Sequence, residues 1–246
     1  MRQYSALANY YDILNSDFDY AGYARMADGL FRRNGVVPGD LVLDLACGTG
    51  NLTIRLSELG YNMIGADVST EMLGIAREKA GNEILFINQD MRSFELYGTV
   101  RGVVCSLDSV NYLLRRNDLR DCFSTVHNYL EPGGVFIFDV NTRYRFENVY
   151  AGRDYILEDD GIFCGWRNEY NEKTGICDFY LTLFALESGM IRRYDERQRE
   201  RAWSERTLRR LLDETGLPVT DVFSDFDLSP ACEKSEKMFF LCRCLK

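Results

Sequence analysis

Strand-like and helix-like segments alternate along the chain between Asp40 and Asn141. Short apolar runs predict strands, and the segments between them show the apolar period of helices. Such alternation is typical of βα units, which build a parallel sheet with helices on both faces. An α/β fold is therefore predicted. Its elements are a strand at 41–45, a helix at 51–59, a strand at 62–67, a helix at 70–80, strands at 84–88 and 100–107, a helix at 118–130 and a fifth strand ending at Val140.

The pattern changes after residue 142. From Arg143 to Trp203 no helical period is found, and alternating apolar residues separated by turn signals predict neighbouring antiparallel strands. Ser204 is expected to cap a helix that two further strands follow, near 219–226 and 237–245. We therefore predict a seven-stranded, mostly parallel sheet formed by residues 1–142 and 204–246, with a small antiparallel β insert at 143–203.

Composition and charge narrow the class of protein. The chain has 246 residues, of which 46% are hydrophobic and 27% charged, as in folded globular proteins. Its 38 acidic and 29 basic residues give a net charge of −9, which disfavours binding to nucleic acid and to anionic membranes. No signal peptide and no run of about 18 apolar residues is found, so a cytoplasmic protein is expected.

Neither the cysteines nor the histidine predict a metal site. The eight cysteines lie mostly in apolar runs and are expected to be small buried hydrophobes. Cys242 and Cys244 form a close pair, but no second pair or nearby histidine completes a zinc site. The single histidine, His127, lies late in an amphipathic helix, where packing and the helix dipole explain it better than catalysis does.

A glycine-bearing turn follows the first predicted strand. Gly48 and Gly50 let the backbone bend sharply and approach a ligand without an intervening Cβ. Asp67 ends the second strand, where a carboxylate can accept hydrogen bonds from both hydroxyls of a ribose. This arrangement predicts a cofactor that contains a nucleoside.

The charge of Asp44 helps to choose between such cofactors. At about 5 Å and an effective dielectric constant near 20, this carboxylate would oppose a phosphate charge by roughly 3 kcal/mol. A sulfonium or an ammonium is favoured there instead, which supports S-adenosylmethionine over a nicotinamide dinucleotide. Thr53, where a dinucleotide fingerprint prefers a small residue, is a mild departure in the same direction. An NAD(P)-dependent oxidoreductase remains the alternative.

Five segments of the chain resemble motifs of the class I S-adenosylmethionine-dependent methyltransferases. They are 44–50, in which Ala46 replaces the usual glycine, Asp67, 88–91, 104–108 and 130–134. An alanine at position 46 should be tolerated unless its φ is positive. The resemblance implies a Rossmann-like fold and S-adenosylmethionine as cofactor, with Asp67 on the ribose and Asp90 on the adenine amino group. The cofactor-binding residues that it implies are Asp44, Ala46, Gly48, Gly50, Asp67, Val68, Met72, Asp90, Met91 and Leu107.

The same resemblance implies methyl transfer by direct in-line displacement, in which no catalytic residue is obligatory. The segment 107–111 lacks the motif of enzymes that methylate bases, and the insert resembles the lid-like β insert of small-molecule methyltransferases. We therefore expect a small-molecule acceptor and a monomer or homodimer. A non-enzymatic S-adenosylmethionine-binding protein remains possible, and a tRNA or rRNA methyltransferase is less favoured.

Four residues are candidates for facing the acceptor. Tyr10 and Tyr11 belong to a segment that resembles the helical amino-terminal lid of related enzymes, here 1–35, although packing against the sheet would explain them equally well. Asp108 and Asn111 follow the fourth strand, and ligands of open α/β sheets bind outside the carboxyl ends of strands. Asp108 could equally cap the next turn.

Two groups in the insert have competing interpretations. The arginines at 192, 193, 197, 199 and 201 could bind an anion, but acidic residues are interleaved with them, and a solvated strand with cross-strand ion pairs is the preferred interpretation. Phe163, Trp166 and Phe179 could line an acceptor pocket or form the core of the insert.

Overall fold

A seven-stranded sheet forms the centre of the computed structural model, which describes residues 7–159 and 161–246. The strand order is β10-β11-β5-β4-β1-β2-β3, in which β1 to β5 are parallel and β11 runs antiparallel to both β5 and β10. This confirms the predicted fold class. The strands are β1 Leu41–Leu45, β2 Asn62–Asp67, β3 Leu85–Asn88, β4 Val100–Cys105, β5 Leu130–Asn141, β10 Val219–Phe223 and β11 Lys237–Arg243.

Helices cover both faces of this sheet. Alternate residues of β1 point to opposite sides, so Leu43 packs with α5 and α7 in one apolar cluster while Val42 packs with α2, α3 and α4 in another. Side-chain caps begin α4 at Ser69 and α7 at Ser204, as the sequence predicts for Ser204. The helices are α1 Tyr11–Leu14, α2 Tyr20–Arg33, α3 Asn51–Glu58, α4 Thr70–Ala80, α5 Arg116–Tyr129, α6 Arg143–Arg145 and α7 Glu205–Glu214.

A second, four-stranded antiparallel sheet lies between β5 and α7 in the sequence. Its strands pair in chain order, and one face of the sheet carries an apolar core of its own that includes Cys164, Cys177 and Phe179. Leu7 of the amino-terminal segment packs against that core. The four strands are β6 Asp154–Asp159, β7 Ile162–Asn171, β8 Ile176–Glu187 and β9 Met190–Arg201.

The start of the insert differs from the prediction. The sequence predicts no helix between Arg143 and Trp203, but α6 and a π-helical turn, Phe146–Tyr150, precede the first strand of the insert. The side chain of Thr142 caps this segment by accepting a hydrogen bond from the Arg145 amide at 3.2 Å. The segment is too short to produce a helical period, and it forms because Phe146 and Tyr150 are buried in the core of the insert.

The cysteines are free, and all but Cys232 are buried, as expected for small apolar side chains. Cys232 is the exception because it lies in the exposed loop before β11. His127 lies in the last turn of α5, with its Nε2 3.2 Å from the carbonyl oxygen of Leu245, which agrees with a packing role. Within 7–159 and 161–246, no helix is long and apolar enough to cross a membrane, and no cluster of ligand side chains could hold a metal.

Candidate functional site

The glycine turn joins β1 to α3 at the carboxyl edge of the sheet. Gly48 and Gly50 have φ values of 54° and 77°, which glycine adopts without strain. A Cβ built on Gly50 would lie 3.1 Å from Ala76 and 3.2 Å from Phe86, whereas one built on Gly48 would meet no atom within 4 Å. The backbone at Gly48 therefore faces open space, in which a ligand can approach it closely.

Ala46 lies in the left-handed region, with a φ of 60°. Alanine is expected to be tolerated at this position only where φ is negative, and the structure does not meet this condition. A left-handed conformation costs a residue with a Cβ roughly 1–2 kcal/mol. The turn therefore carries local strain at the position where related motifs have glycine.

Asp67 lies beside the turn because β1 and β2 are paired in parallel, with Leu45 opposite Ala66. Its Oδ2 accepts a hydrogen bond from the Gly48 amide and its Oδ1 accepts one from the Ser69 amide, both at 2.8 Å. Burial raises the pKa of Asp67, although these backbone donors oppose the shift. The carboxylate is thus held rigidly at the place predicted for a ribose-binding acid.

Asp44 is fully buried beneath the same turn. Thr53 Oγ1 donates a hydrogen bond to Asp44 Oδ2 at 2.6 Å, while Asp44 Oδ1 has no hydrogen-bond partner in the part of the chain that the structure describes. Burial raises the pKa of Asp44 to about 7, and the nearby Asp67 adds to the shift. A buried carboxylate that lacks one of its hydrogen-bond donors fits a cofactor whose nearest groups are positively charged.

The other predicted cofactor residues differ in how accessible they are. Val68 is 66% exposed at the end of β2, whereas Met72 is 2% exposed in α4. Asp90 forms a salt bridge with Arg92, with 2.5 Å between Oδ2 and Nη2, and this guanidinium lowers the pKa of the carboxyl. Met91 packs half-buried against the core. Val68 and Asp90 are therefore the more accessible members of this group.

Two cavities meet above the carboxyl edge of the sheet. A small one, of about 30 Å³, lies against the glycine turn and is lined by Ala46, Gly48 and Ser106. A larger one, of about 260 Å³, lies between the sheet and the insert. Tyr11 and Leu107 line both cavities. A ligand on the glycine turn would therefore be adjacent to a ligand in the larger cavity.

The larger cavity has an aromatic wall supplied by the insert. Tyr150, Trp166 and Phe179 line it, and their rings contact one another with centroids 5.5–6.1 Å apart. Trp166 and Phe179 thus serve both as core and as lining. Phe163, the third aromatic candidate, does not line this cavity: it lies on the opposite face of the insert and is 41% exposed, because side chains alternate along β7.

The floor of the larger cavity is charged. Lys237 Nζ, from β11, lies 2.6 Å from Asp108 Oδ1 and 2.7 Å from Asp139 Oδ2. Asp108 therefore lines the larger cavity. Its side chain forms no cap on the turn that follows, and its own φ is 52°. Arg145 also lines the floor, and its Nε donates a hydrogen bond to the Tyr150 hydroxyl at 2.8 Å.

Asn111 does not line the larger cavity, contrary to the prediction. It is fully buried, and its Nδ2 donates to the carbonyl oxygens of Asn141 and Arg201 at 3.0 and 2.8 Å. Its Oδ1 accepts from the Asn141 amide at 2.9 Å. A side chain that follows a strand can either face a ligand or join the two sheets. Asn111 joins them, because backbone groups at the ends of β5 and β9 need hydrogen-bond partners.

The two tyrosines of the amino-terminal segment have different positions. Tyr11 lines both cavities, whereas Tyr10 is directed towards the insert, where its hydroxyl donates a hydrogen bond to Glu187. Asp12 joins the same segment to the glycine turn, because Thr49 Oγ1 and Asn51 Nδ2 donate to its Oδ1 at 2.6 and 2.9 Å. The segment therefore spans the two cavities. Residues 1–6 of the predicted lid lie outside the described residues.

The basic stretch of β9 forms the predicted ion pairs. Asp178 on β8 lies 2.8 Å from Arg197 and 3.2 Å from Arg199, and Arg193 is 2.9 Å from Asp195. These arginines point away from the larger cavity. The interpretation as cross-strand pairs is therefore confirmed for Arg197 and Arg199, whereas Arg193 pairs with an acid of its own strand.

The inward side chains of β9 are functional candidates that the sequence argument missed. Gln198 and Glu200 line the larger cavity, and both are nearly buried at 7% and 4% exposure. They alternate with the arginines at 197, 199 and 201, so the signal was available in the two-residue period of the strand. Because arginines dominate this stretch, its pattern predicts ion pairs on the exposed face and not a cavity lining.

Comparisons with known proteins agree with this geometry. A family model described as a methyltransferase domain matches residues 42–134. A Bacillus subtilis protein provisionally named methyltransferase YqeM is 31% identical over 242 residues, covering 96% of this chain and 95% of the relative. The crystal structure of an S-adenosylmethionine-dependent methyltransferase from Clostridium acetobutylicum superposes with a TM-score of 0.88 at 30% identity and covers 99% of both chains.

A more distant relative is the glycine/sarcosine N-methyltransferase of Halorhodospira halochloris, which is 26% identical over 205 residues, covering 75% of this chain and 68% of the relative. The family model and the full-length relative indicate a methyltransferase, and the structural neighbour at 30% identity indicates S-adenosylmethionine as the cofactor. They exclude the nicotinamide alternative. The chain therefore belongs to the class I S-adenosylmethionine-dependent methyltransferases.

Proposed function

We propose that this enzyme transfers a methyl group from S-adenosylmethionine to a small-molecule acceptor held in the larger cavity. The observation that carries this proposal is the junction of the two cavities at Tyr11 and Leu107. The smaller cavity lies on the glycine turn and the larger one lies between the main sheet and the insert. Donor and acceptor would therefore be adjacent.

The cofactor would be held by residues at the carboxyl ends of β1 to β4. Asp67 would accept hydrogen bonds from the ribose hydroxyls, and Val68 and Asp90 would contact the adenine. Asp44 would favour the positively charged methionine end. When bound, S-adenosylmethionine supplies a methyl group on a positively charged sulfur, ready for in-line displacement by a nucleophile.

The protein's contribution would be to orient the acceptor and exclude water. Effective concentrations from such orientation can supply about 7–11 kcal/mol of the barrier reduction. Tyr11 lies where the two cavities meet, and Asp12 ties its segment to the glycine turn. This segment would therefore act as a lid over both ligands.

The size of the larger cavity supports a small acceptor. A volume of about 260 Å³ is near the lower end of ligand pockets and has no room for a nucleic-acid helix. The net charge of −9 also disfavours RNA. The name of the Halorhodospira relative indicates that a small amine is its acceptor.

Incubation of the enzyme with methyl-labelled S-adenosylmethionine and fractionated metabolites would test this proposal. We expect label in a low-molecular-weight fraction and none in RNA or protein. Label in tRNA or rRNA would contradict the small-molecule acceptor. Binding of S-adenosylmethionine without any transfer, across metabolite, RNA and protein fractions, would indicate a non-enzymatic binding protein.

A further inference from the structure

Glu200 has an unusual position for a carboxylate. It points inward from β9, is 4% exposed and lines the larger cavity. Asn141 Nδ2 donates a hydrogen bond to its Oε2 at 3.0 Å. Across 7–159 and 161–246, no lysine, arginine or histidine forms a salt bridge with it. A nearly buried carboxylate therefore faces the cavity with a neutral amide as its hydrogen-bond donor.

The cations near Glu200 are engaged elsewhere. Lys237 lies between Asp108 and Asp139, at 2.6 and 2.7 Å. Arg145 donates to the Tyr150 hydroxyl and lies 3.8 Å from Glu236. Lys237 and Arg145 are thus outnumbered by the carboxylates around them. A positively charged ligand would neutralise the remaining negative charge.

The protonation of Glu200 responds to this environment. Burial raises its pKa well above the usual range, and the charge of Asp108 adds to the shift. The Asn141 hydrogen bond, Lys237 and Arg145 act in the opposite direction. Tyr150 and Cys177 are the other titratable groups that face it, one across the cavity and one across the strand pair. A carboxylate with a raised pKa is a better proton acceptor than an exposed one.

We propose that Glu200 binds the ammonium form of an amine acceptor and takes a proton from it. The inference rests on the proposed function and assigns the reacting atom of its substrate as nitrogen. The rings of Tyr150, Trp166 and Phe179 favour the same ligand class, because aromatic faces attract organic cations.

The proton transfer balances without another reactant. The ammonium gives one proton to the Glu200 carboxylate, and the electron pair of the broken N–H bond stays on nitrogen as a lone pair. That lone pair is what methyl transfer requires of a nitrogen nucleophile. Glu200 becomes a neutral carboxylic acid and returns its proton to solvent when the product leaves.

Binding of three probes of similar shape tests the charge preference. Benzylamine, benzyl alcohol and benzoate are titrated into the enzyme at neutral pH, with S-adenosylhomocysteine at saturation, and followed by ligand-observed NMR. We expect the protonated amine to bind at least about tenfold more tightly than the alcohol, which is the size of one charge-assisted hydrogen bond. Benzoate should bind most weakly.

Two variants assign the preference to Glu200. Glu200→Gln keeps an acceptor for Asn141 and should bring the amine and the alcohol to within about threefold of each other. Glu196→Gln is the matched control: it removes a carboxylate from the same face of β9 at a residue that does not line the cavity, and it should keep the preference. Tightest binding of benzoate, binding of none of the probes, or an unchanged preference in Glu200→Gln would overturn the proposal.

The pH dependence of methyl transfer tests the proton step. With the acceptor identified by the labelling screen, Glu200→Gln should slow transfer at neutral pH and recover about tenfold per pH unit as the free amine becomes more abundant. A purely structural role would slow transfer equally at every pH and would contradict the proposal. Methylation at oxygen, carbon or sulfur would also overturn it while leaving the proposed function intact, whereas the absence of any transfer would contradict the proposed function itself.

Discussion

The strain at Ala46 leads to a prediction at the scale of one residue. Ala46→Gly removes the Cβ from a residue with a φ of 60°, and we expect it to raise the free energy of unfolding by about 0.5–1 kcal/mol. The relief of roughly 1–2 kcal/mol is partly offset by the greater freedom of glycine in the unfolded chain. Urea unfolding measures the change.

Ala66→Gly provides the matched comparison. Ala66 is a fully buried alanine one residue before the end of β2, whereas Ala46 is partly buried, and the backbone of Ala66 is ordinary strand. The same substitution there should lower the free energy of unfolding by about 1 kcal/mol, because glycine gains entropy in the unfolded chain and loses packing in the folded one. If both variants were equally destabilised, Ala46 would carry no strain.

The protonation of Asp44 predicts a pH-dependent stability. Its pKa is about 7 in the folded protein against a reference value of 3.8, so the folded state keeps this proton over a pH range in which the unfolded state has lost it. Stability should therefore fall as pH rises through that window. Asp44→Asn cannot ionise, so between about pH 4 and pH 8 the wild type should lose about 2–4 kcal/mol more than the variant does.

Urea unfolding at several pH values measures this difference. Asp221→Asn is a suitable control because Asp221 is an exposed carboxyl on β10 of the same sheet, and its stability profile should run parallel to that of the wild type. Parallel profiles for the wild type and Asp44→Asn would mean that burial does not raise the pKa of Asp44.

At the scale of elements, α1 is held from two sides. Asp12 accepts hydrogen bonds from Thr49 and Asn51 of the glycine turn and pairs with Lys79 of α4 at 2.8 Å. On its other side, Tyr10 donates to Glu187 at the end of β8. A four-residue helix has little stability of its own, so these contacts determine its position.

Removing the Asp12 anchor should weaken cofactor binding. Asp12→Ala deletes the acceptor for three donors, so the lid should close less favourably. We expect the Kd for S-adenosylhomocysteine to rise about tenfold, which is about 1.4 kcal/mol of binding free energy. Isothermal titration calorimetry measures it. Asp17→Ala, an exposed carboxyl in the same segment, should leave the Kd unchanged. Equal affinities for the two variants would argue against a lid role for α1.

The sequence predicted the elements of the main sheet better than those of the insert. β1 and α4 begin and end where expected, because a buried apolar strand and a Ser69 cap are local signals. The segment Arg143–Tyr150 was missed because its helical turns depend on burial of Phe146 and Tyr150 by strands that come later in the chain. Local patterns carry no information about such contacts.

The same limit applies to the site. Asp67 follows a strand and a glycine turn, so its position could be predicted from the order of the elements. The contacts of Asn111 and Glu200 depend on how β9 approaches β5, which no local spacing specifies. The acceptor side of the site was therefore less predictable than the cofactor side.

At the scale of the whole molecule, the two sheets have separate tasks. The main sheet supplies the glycine turn, Asp44 and Asp67, while the insert supplies the aromatic wall of the larger cavity. Under the proposed function, this arrangement would allow the acceptor site to change without disturbing cofactor binding. A substitution in the insert should then affect the two ligands unequally.

Trp166 and Phe163 allow a matched test of this separation, because both are aromatic residues of β7 but they point to opposite faces. Trp166→Ala should raise the KM for the acceptor at least tenfold, since truncating a large aromatic contact costs about 1.4 kcal/mol or more, and should leave the Kd for S-adenosylhomocysteine within about twofold. Phe163→Ala should change neither constant. Far-ultraviolet circular dichroism verifies that both variants fold. Trp166 lines the larger cavity and not the smaller one. A parallel loss of cofactor binding in Trp166→Ala would therefore show that the insert and the main sheet do not bind their ligands independently.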